Sequence, residues 1–198
     1  MTSQIDKLTF LLSKIPGVGP RSAKRAVLHL LKYKDQLMLP LAQELENTAK
    51  TIKTCPICNN IDEKSPCYIC IDTKRNQKII CVVENISDLW AIERGHIFNG
   101  TYHVLGGTLS ATHGRSPEDL SLQTLASRIK TDQVEEVIIA TNATLDGQTT
   151  AFYITDFLSQ EAKVKVTRLA YGIPVGGELD YLDDSTLEAS ILSRKPFN

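Results

Sequence analysis

Four of the five cysteines in this chain lie in one short segment, and their spacing constrains the fold more than any other feature. Cys55 and Cys58 form one Cys-x-x-Cys pair, and Cys67 and Cys70 form a second pair, eight residues further along. Two tight turns that each present two thiolates can hold a zinc ion at about 2.3 Å in a tetrahedral shell. Because four ligands fill that shell, the spacing predicts one structural zinc ion with no open position.

Other uses of these cysteines are two disulfides, two redox dithiols or plain burial. We expect no signal peptide, and only Cys81 lies outside the cluster, which favours a reducing cytosol over a disulfide framework. A thioredoxin-type dithiol would follow a strand and open a helix, and it would not be duplicated so close by. We therefore favour a zinc knuckle over residues 54–71, whose folding would depend largely on the metal.

The charge of the chain is distributed unevenly. The 198 residues are 42% hydrophobic and contain no apolar run of about 18 residues, so the sequence predicts a globular chain without a membrane span. The net charge is −1, yet residues 1–53 hold nine Lys and Arg against four acids, and the remainder holds thirteen against nineteen. A basic end favours an anionic partner there, although solvated helix faces would produce the same asymmetry.

The sequence of the basic segment, residues 1–53, predicts helices, the first two of which are joined by a glycine hairpin. Apolar residues at helical spacing predict a helix over 4–14, ended by Pro16, and a second helix begins at Pro20 with Ala23, Ala26, Val27, Leu30 and Leu31 on its buried side. A further helix over 41–53 leads into the zinc knuckle. Between the first two helices, Gly17 and Gly19 flank a single valine.

The groups in and after this hairpin are suited to binding a phosphate. Gly17 and Gly19 leave backbone N–H groups at a helix N-terminus open to an anion, and Arg21, Lys24 and Arg25 stand on the next turns. The segment resembles a helix-hairpin-helix, which binds the DNA backbone without reading sequence. A plain helical connector is the alternative, and the basic residues favour DNA binding.

After the knuckle, short apolar runs alternate with helical patterns, which predicts an α/β domain with a mainly parallel sheet. Ser87 is the expected N-cap of the first helix here, with Leu89, Trp90 and Ile92 buried and Gly95 at its end, and Cys81 is expected to be a buried core thiol. The predicted strands cover 79–83, 102–105, 137–141 and 164–170, and the other predicted helices lie near 121–130 and 148–159.

Residues 79–170 resemble a Toprim domain, in which a glutamate and an Asp-x-Asp at strand ends hold Mg²⁺ for phosphoryl transfer. Glu84 matches the first position. Asn142 and Thr144 occupy the two aspartate positions, and the Glu-Gly-Glu that usually follows reads Asp146-Gly-Gln. Because two-metal chemistry needs clustered carboxylates, we expect the Toprim fold without its catalysis.

The tail combines acidic and apolar residues. Asp184 or Ser185 is the expected N-cap of a last helix that carries Leu187, Ile191 and Leu192. A solvated end, a nucleotide or metal site, and a docking surface all fit this composition. We favour self-association, because a small domain leaves such an apolar stripe unburied. The acids are Glu178, Asp180, Asp183, Asp184 and Glu188.

From Leu8 to Arg194 the chain resembles the bacterial recombination mediator family RecR. The resemblance rests on the order of the motifs and on CVVE at 81–84, YHVLGG at 102–107, EVIIATN at 136–142 and RLAYGIPVGGELDYLDDSTL at 168–187. It implies a multidomain α/β (α+β) chain: a helix-hairpin-helix region at 1–53, a four-cysteine zinc finger at 54–71, a Toprim domain at 78–172 and a tail for oligomerisation at 173–198.

The resemblance also implies a function. RecR-like proteins are non-enzymatic, and with RecO and RecF they load RecA during repair of DNA gaps and breaks. It implies a cytoplasmic, nucleoid-associated homo-oligomer, a tetrameric ring, that binds duplex DNA and single-strand/double-strand junctions and holds one Zn²⁺ per chain. The alternative is a Mg²⁺-dependent Toprim nuclease or topoisomerase-like enzyme acting through Glu84, and the sequence leaves Mg²⁺ binding open.

Overall fold

The chain was analysed as a computed structural model, which describes residues 3–112, 114–170, 172–194 and 196. The chain divides into two compact units, with the division between Ile52 and Lys53. Among the described residues, no helix combines the length and apolar character needed to cross a membrane.

The first unit is helical. A capping box between Ser3 and Asp6 starts its first helix, and Pro20 starts its second at a position where the missing N–H costs no hydrogen bond. Ala23 and Val27 are fully buried. The elements are α1 (Gln4–Leu12), α2 (Pro20–Lys32), a π-helix (Lys34–Met38) and α3 (Leu39–Thr51).

Three expectations for this unit need correction. The first helix stops at Leu12, because Ser13 becomes its C-cap and the chain then turns. The third helix covers Leu39–Thr51 in place of 41–53, since a π-helical turn feeds directly into it. Leu31 is 38% exposed, so the buried side of α2 is narrower than the apolar pattern indicated.

The second unit contains the cysteine segment and a four-stranded sheet. In order, its elements are β1 (Lys53–Thr54), β2 (Ile61–Asp62), α4 (Tyr68–Ile71), β3 (Ile79–Val83), α5 (Ile86–Arg94), β4 (Thr101–Val104), a 3-10 turn (Pro117–Asp119), α6 (Leu122–Thr131), β5 (Glu136–Ala140), α7 (Leu145–Glu161), β6 (Lys165–Arg168), a second 3-10 turn (Leu179–Tyr181) and α8 (Asp184–Leu192).

The sheet is parallel throughout, in the order β4-β3-β5-β6, while β1 and β2 form a separate antiparallel pair. One face of the sheet packs against α6 and α7, and the other packs against α5 and the cysteine segment. Cys81 is 3% exposed, as expected for a core thiol. The chain leaves β3 and β5 toward opposite edges, so their carboxyl ends flank the switch point where α/β sheets bind ligands.

Several local predictions in this unit were wrong. Asn85 caps α5 in place of Ser87, and a reciprocal hydrogen bond with Asp88 fixes this cap. Trp90 is 53% exposed, because its indole lies at the rim of the sheet unit. Asp183, one residue before the expected caps, accepts from the Thr186 N–H at 3.0 Å to start α8.

The glycine after α5 ends the helix as expected. Gly95 is the C-cap, but it keeps right-handed backbone angles. The left-handed residue is His96, with φ of 49°. The helix therefore ends at Arg94, directly before the glycine that was expected to stop it, and the left-handed turn follows one residue later.

Candidate metal centre and nucleic-acid interface

The four clustered cysteines converge on one point. Their Sγ atoms all lie within 4.8 Å of one another, with Cys58 and Cys67 at 3.5 Å and Cys55 and Cys70 at 3.9 Å. A tetrahedron with zinc–sulfur bonds of about 2.3 Å has edges of about 3.8 Å, so the arrangement fits one zinc ion. Disulfides need sulfurs about 2.05 Å apart and are excluded here.

Local hydrogen bonds shape the two turns that present the thiols. The Cys55 N–H donates to the Asn60 carbonyl at 2.7 Å, and the Asn59 N–H donates back to the Cys55 carbonyl at 3.0 Å. Asn59 takes left-handed angles, with φ of 59°, which asparagine tolerates better than most residues. In the second turn, Cys67 is the N-cap of α4, and its N–H points at the Cys55 sulfur, 3.4 Å away.

Because the thiols lie close together, hydrogen bonds between them shift their pKa values in different directions. A hydrogen bond from Cys58 is the main reason why the pKa of Cys67 is lowered, and the same bond raises the pKa of Cys58. The pKa of Cys70 is also raised, chiefly by its contact with Cys58. Because zinc binds the thiolate form of cysteine, metal binding at this site is coupled to the release of protons.

The zinc knuckle is attached to the edge strand of the sheet. The Val104 N–H in β4 donates to the Cys58 carbonyl at 2.8 Å, and the Asn59 side chain donates to the Val104 carbonyl at 3.0 Å. The Trp90 indole N–H on α5 donates to Asn60 Oδ1 at 3.2 Å. Because these bonds cover the edge of β4, knuckle and sheet are built as one unit.

The predicted DNA hairpin lies in the helical unit. Gly17 takes φ of 80°, which favours glycine, and the Val18 N–H donates to the Ile15 carbonyl at 3.0 Å to close the turn. Gly19 is the N-cap of α2. A Cβ built on Gly19 would meet no atom within 4 Å, so packing inside the chain does not require a glycine there.

This open space lies at the positive end of a helix. Among the described residues, the N–H groups of Gly19, Arg21 and Ser22 have no backbone acceptor, so they point their dipoles at the solvent. Arg21, Lys24 and Arg25 are exposed, and no ion pair to another described residue holds any of them. All five predicted residues of the hairpin are thus exposed, and the three- and four-residue spacing of Arg21, Lys24 and Arg25 places them on one face of α2.

Of the three predicted Toprim residues, Glu84 and Asn142 contact each other and Asp146 does not join them. Glu84 is 5% exposed, and its Oε1 and Oε2 accept the backbone N–H and the side-chain amide of Asn142, both at 2.7 Å. Asn142 thus pairs with both oxygens of the Glu84 carboxylate. Asp146 lies on the first turn of α7, and no described residue bonds its carboxylate.

Close packing surrounds the Glu84 pair. A Cβ on Gly147 would lie 2.2 Å from the Asn142 carbonyl oxygen and 2.8 Å from Glu84 Oε1. Thr144 caps α7 by accepting from the Gly147 N–H at 3.1 Å. Within the described ranges, the cysteine cluster is the only group of three or more metal-binding side chains that converges. Glu84 and Asn142 therefore join the ends of β3 and β5 through hydrogen bonds.

A groove lies beside this junction, at strand ends where a parallel sheet predicts a ligand site. It has a volume of about 600 Å³ and lies at the carboxyl ends of β5 and β6, with α5 and α7 on either side. Its walls include Ile139, Phe152 and Leu169, of which Phe152 is 72% exposed. The switch-point topology was the one available signal for it.

Comparison with known proteins gives consistent matches along the chain. Four family models match in succession: the RecR helix-hairpin-helix over residues 5–49, the RecR four-cysteine zinc finger domain over 52–72, the Toprim domain over 78–170 and the RecR C-terminal model over 172–195.

Whole-chain relatives agree with these models. The chain is 55% identical to the recombination protein RecR of Nitrobacter hamburgensis over 194 residues, which cover 98% of this chain and 96% of that protein. It is 54% identical to that of Rhodopseudomonas palustris strain BisB18, over the same shares. It is 53% identical to that of Ehrlichia chaffeensis over 190 residues, covering 96% of this chain and 97% of the relative.

Proposed function

Because this chain belongs to the RecR family of recombination proteins, we propose that it is a non-enzymatic DNA-binding mediator that acts with RecO and RecF to load RecA in the repair of DNA gaps and breaks. The observation that carries the DNA-binding part is the open helix N-terminus at Gly19, with unpaired N–H groups and three exposed cations beside it. Such a surface accepts phosphate oxygens at short range.

The expected contact is with the DNA backbone. Gly17 and Gly19 permit close approach, while Arg21, Lys24 and Arg25 supply charge that does not depend on base sequence. Binding should therefore tolerate any sequence and weaken with salt. We infer that duplex DNA and single-strand/double-strand junctions are the substrates of this surface.

Self-association follows from apolar surface that the chain does not bury. Neither α1 nor α3 has a buried residue, and Ile191 and Leu192 on α8 are 64% and 74% exposed. We propose that residues 1–53 and 173–198 form the contacts between copies of the chain in a tetrameric ring. The zinc knuckle and residues 78–172 lie between these two segments in the sequence. A ring retains DNA with weak contacts from each subunit, because multivalency supplies avidity.

The partner surfaces are assigned to the Toprim domain and the tail. The groove beside Glu84 offers apolar walls to RecO or RecF, and the tail offers acidic side chains. One tail acid has another role, because Asp183 caps α8 and its hydrogen bond with Ser185 is the main cause of its lowered pKa.

We propose that the protein acts in the cytoplasm, at the nucleoid.

The enzymatic alternative has little support in this geometry. A Toprim nuclease or topoisomerase needs carboxylates that converge on Mg²⁺, and here Asn142 occupies both oxygens of Glu84. We therefore propose that Glu84 and Asn142 hold the strand junction, that Asp146 takes no part in it, and that the domain serves as a binding scaffold.

Gly19→Ala tests the proposed function without disturbing the fold. The added methyl meets no protein atom and Gly19 has ordinary backbone angles, so the only expected loss of stability is that of exchanging glycine for alanine at an N-cap, about 1 kcal/mol. The methyl would stand where a phosphate must approach, so duplex affinity should fall about tenfold, the loss of one good charge-assisted contact.

Binding should be measured by fluorescence anisotropy at fixed salt, beside thermal melting of the same samples. Gly172→Ala is a matched control, because its added methyl also meets open space but lies far along the chain from the hairpin. Undiminished DNA affinity in Gly19→Ala would contradict the hairpin as the phosphate site.

A further inference from the structure

The far end of α2 carries a second cluster suited to nucleic acid. Tyr33 is the C-cap of the helix, and its ring centroid lies 4.7 Å from that of His29, with the planes at 51°. The Lys32 ammonium lies over the Tyr33 ring, 5.5 Å from its centroid. All three residues are exposed, and no described residue forms a hydrogen bond or an ion pair with their side chains.

The backbone after α2 fixes this cluster in place. Tyr33 has φ of −112° and ψ of 50°, outside the helical range, and its carbonyl accepts from both the Leu37 and the Met38 N–H groups at 2.9 and 3.2 Å. Those bonds belong to the π-helical turn Lys34–Met38. π-Helical turns occur frequently at functional sites, because they reorient side chains at the cost of regular hydrogen bonding.

A shallow groove runs along α2 between the hairpin and this cluster, and its lining residues all belong to that helix. Its volume is about 640 Å³, and its lining includes Ser22, Arg25, His29 and Lys32. Arg25, His29 and Lys32 follow one another at four- and three-residue spacing, so they share one face of α2, and the helix contains no acid. The cationic surface thus continues beyond the hairpin along most of the helix.

We propose that His29, Lys32 and Tyr33 form a second nucleic-acid subsite that holds an unpaired nucleotide of the same DNA whose backbone the hairpin binds. This inference rests on the proposed DNA-binding function. From Arg25 to Lys32 the helix rises about 10 Å, which corresponds to about three nucleotide steps of 3.4 Å. A base stacks on the aromatic rings, and the ammonium contacts the adjacent phosphate.

The aromatic rings select the kind of DNA. A base in a duplex is stacked on its neighbours and offers only its edges, whereas an unpaired base offers a free face. The helix dipole explains cations at the end of α2, but it does not call for an aromatic ring beside them. Hairpin and cluster together would therefore recognise a junction, with duplex at one end of α2 and single strand at the other.

The test compares two substrates and a double variant. Tyr33→Leu with His29→Gln removes both rings and keeps similar side-chain volumes. We expect affinity for a labelled oligothymidine strand to fall about tenfold, within the range for loss of one or two stacked bases, while affinity for a duplex of the same length stays within about twofold. Thermal melting and particle mass should be measured on the same samples.

Lys50→Ala is the control, because it is a substitution in the same helical unit that leaves the proposed subsite intact. Lys50 lies on α3 and pairs with Glu46, away from α2 in sequence. Unchanged single-strand affinity in the double variant, an equal loss on both substrates, or a change in particle mass would each overturn the inference. Failure of the wild-type protein to bind either DNA would instead contradict the proposed function on which it rests.

Discussion

Replacing Cys58 with serine is expected to abolish zinc binding and to unfold the zinc knuckle. The Cys58 sulfur is one of four that converge within 4.8 Å, and a serine hydroxyl is a poor zinc ligand at neutral pH. In small domains a structural zinc ion contributes about 10–16 kcal/mol of binding free energy, as large as the whole stability of a typical protein. The loss should spread to β4, because Cys58 and Asn59 hydrogen-bond its last residue.

Metal content and tryptophan emission would report this loss directly. Native mass spectrometry should find one zinc per wild-type chain and none in Cys58→Ser. Trp90 is the only tryptophan and it bonds Asn60 in the knuckle, so its emission should shift when the knuckle unfolds. Cys81→Ala is the matched control, because this buried thiol lies outside the cluster and its removal should leave zinc bound. Full zinc occupancy in Cys58→Ser would refute the four-thiolate site.

Gly147→Ala is expected to destabilise the second unit by about 1–3 kcal/mol, the usual cost of overpacking. Exchange of glycine for alanine inside a helix normally stabilises it by up to about 1 kcal/mol. Here the sign reverses, because the new methyl would lie 2.2 Å from the Asn142 carbonyl oxygen. The clash pushes apart the Glu84–Asn142 pair that joins β3 to the loop after β5.

Denaturant unfolding of Gly147→Ala would measure this effect. Gly172→Ala serves again as the control, since its methyl has open space and its stability should change by less than about 0.5 kcal/mol. A stabilised Gly147→Ala would show that the loop after β5 moves freely and that Glu84 is available for other ligands.

Local patterns were sufficient to predict most of the fold. The cysteine spacing predicts the metal centre, and the apolar runs predict the four parallel strands within one or two residues. These features depend on neighbours in sequence: thiols on one turn, or side chains on one strand. The hairpin was predictable for the same reason, because Gly17, Gly19 and the following cations are contiguous.

Features that depend on distant residues were not predictable. Trp90 has the helical spacing of a buried residue, yet it is 53% exposed, and its indole N–H donates to Asn60 in the knuckle, 30 residues away in sequence. The pairing of Glu84 with Asn142 joins two strand ends that are 58 residues apart. A sequence pattern shows that aspartates are missing at these positions, but only the structure shows that the Asn142 amide pairs with the Glu84 carboxylate.

The most direct test of the account is DNA affinity as a function of salt concentration for the wild-type protein and for Lys24→Ala with Arg25→Ala. Removing one cation from a phosphate should lower the slope of log K against log salt by about 0.9 for duplex DNA, so the double variant should bind more weakly with a slope shallower by about 2. Sequence changes in the duplex should have no effect on this difference. An unchanged slope with undiminished affinity would exclude the hairpin from the DNA path and contradict the account.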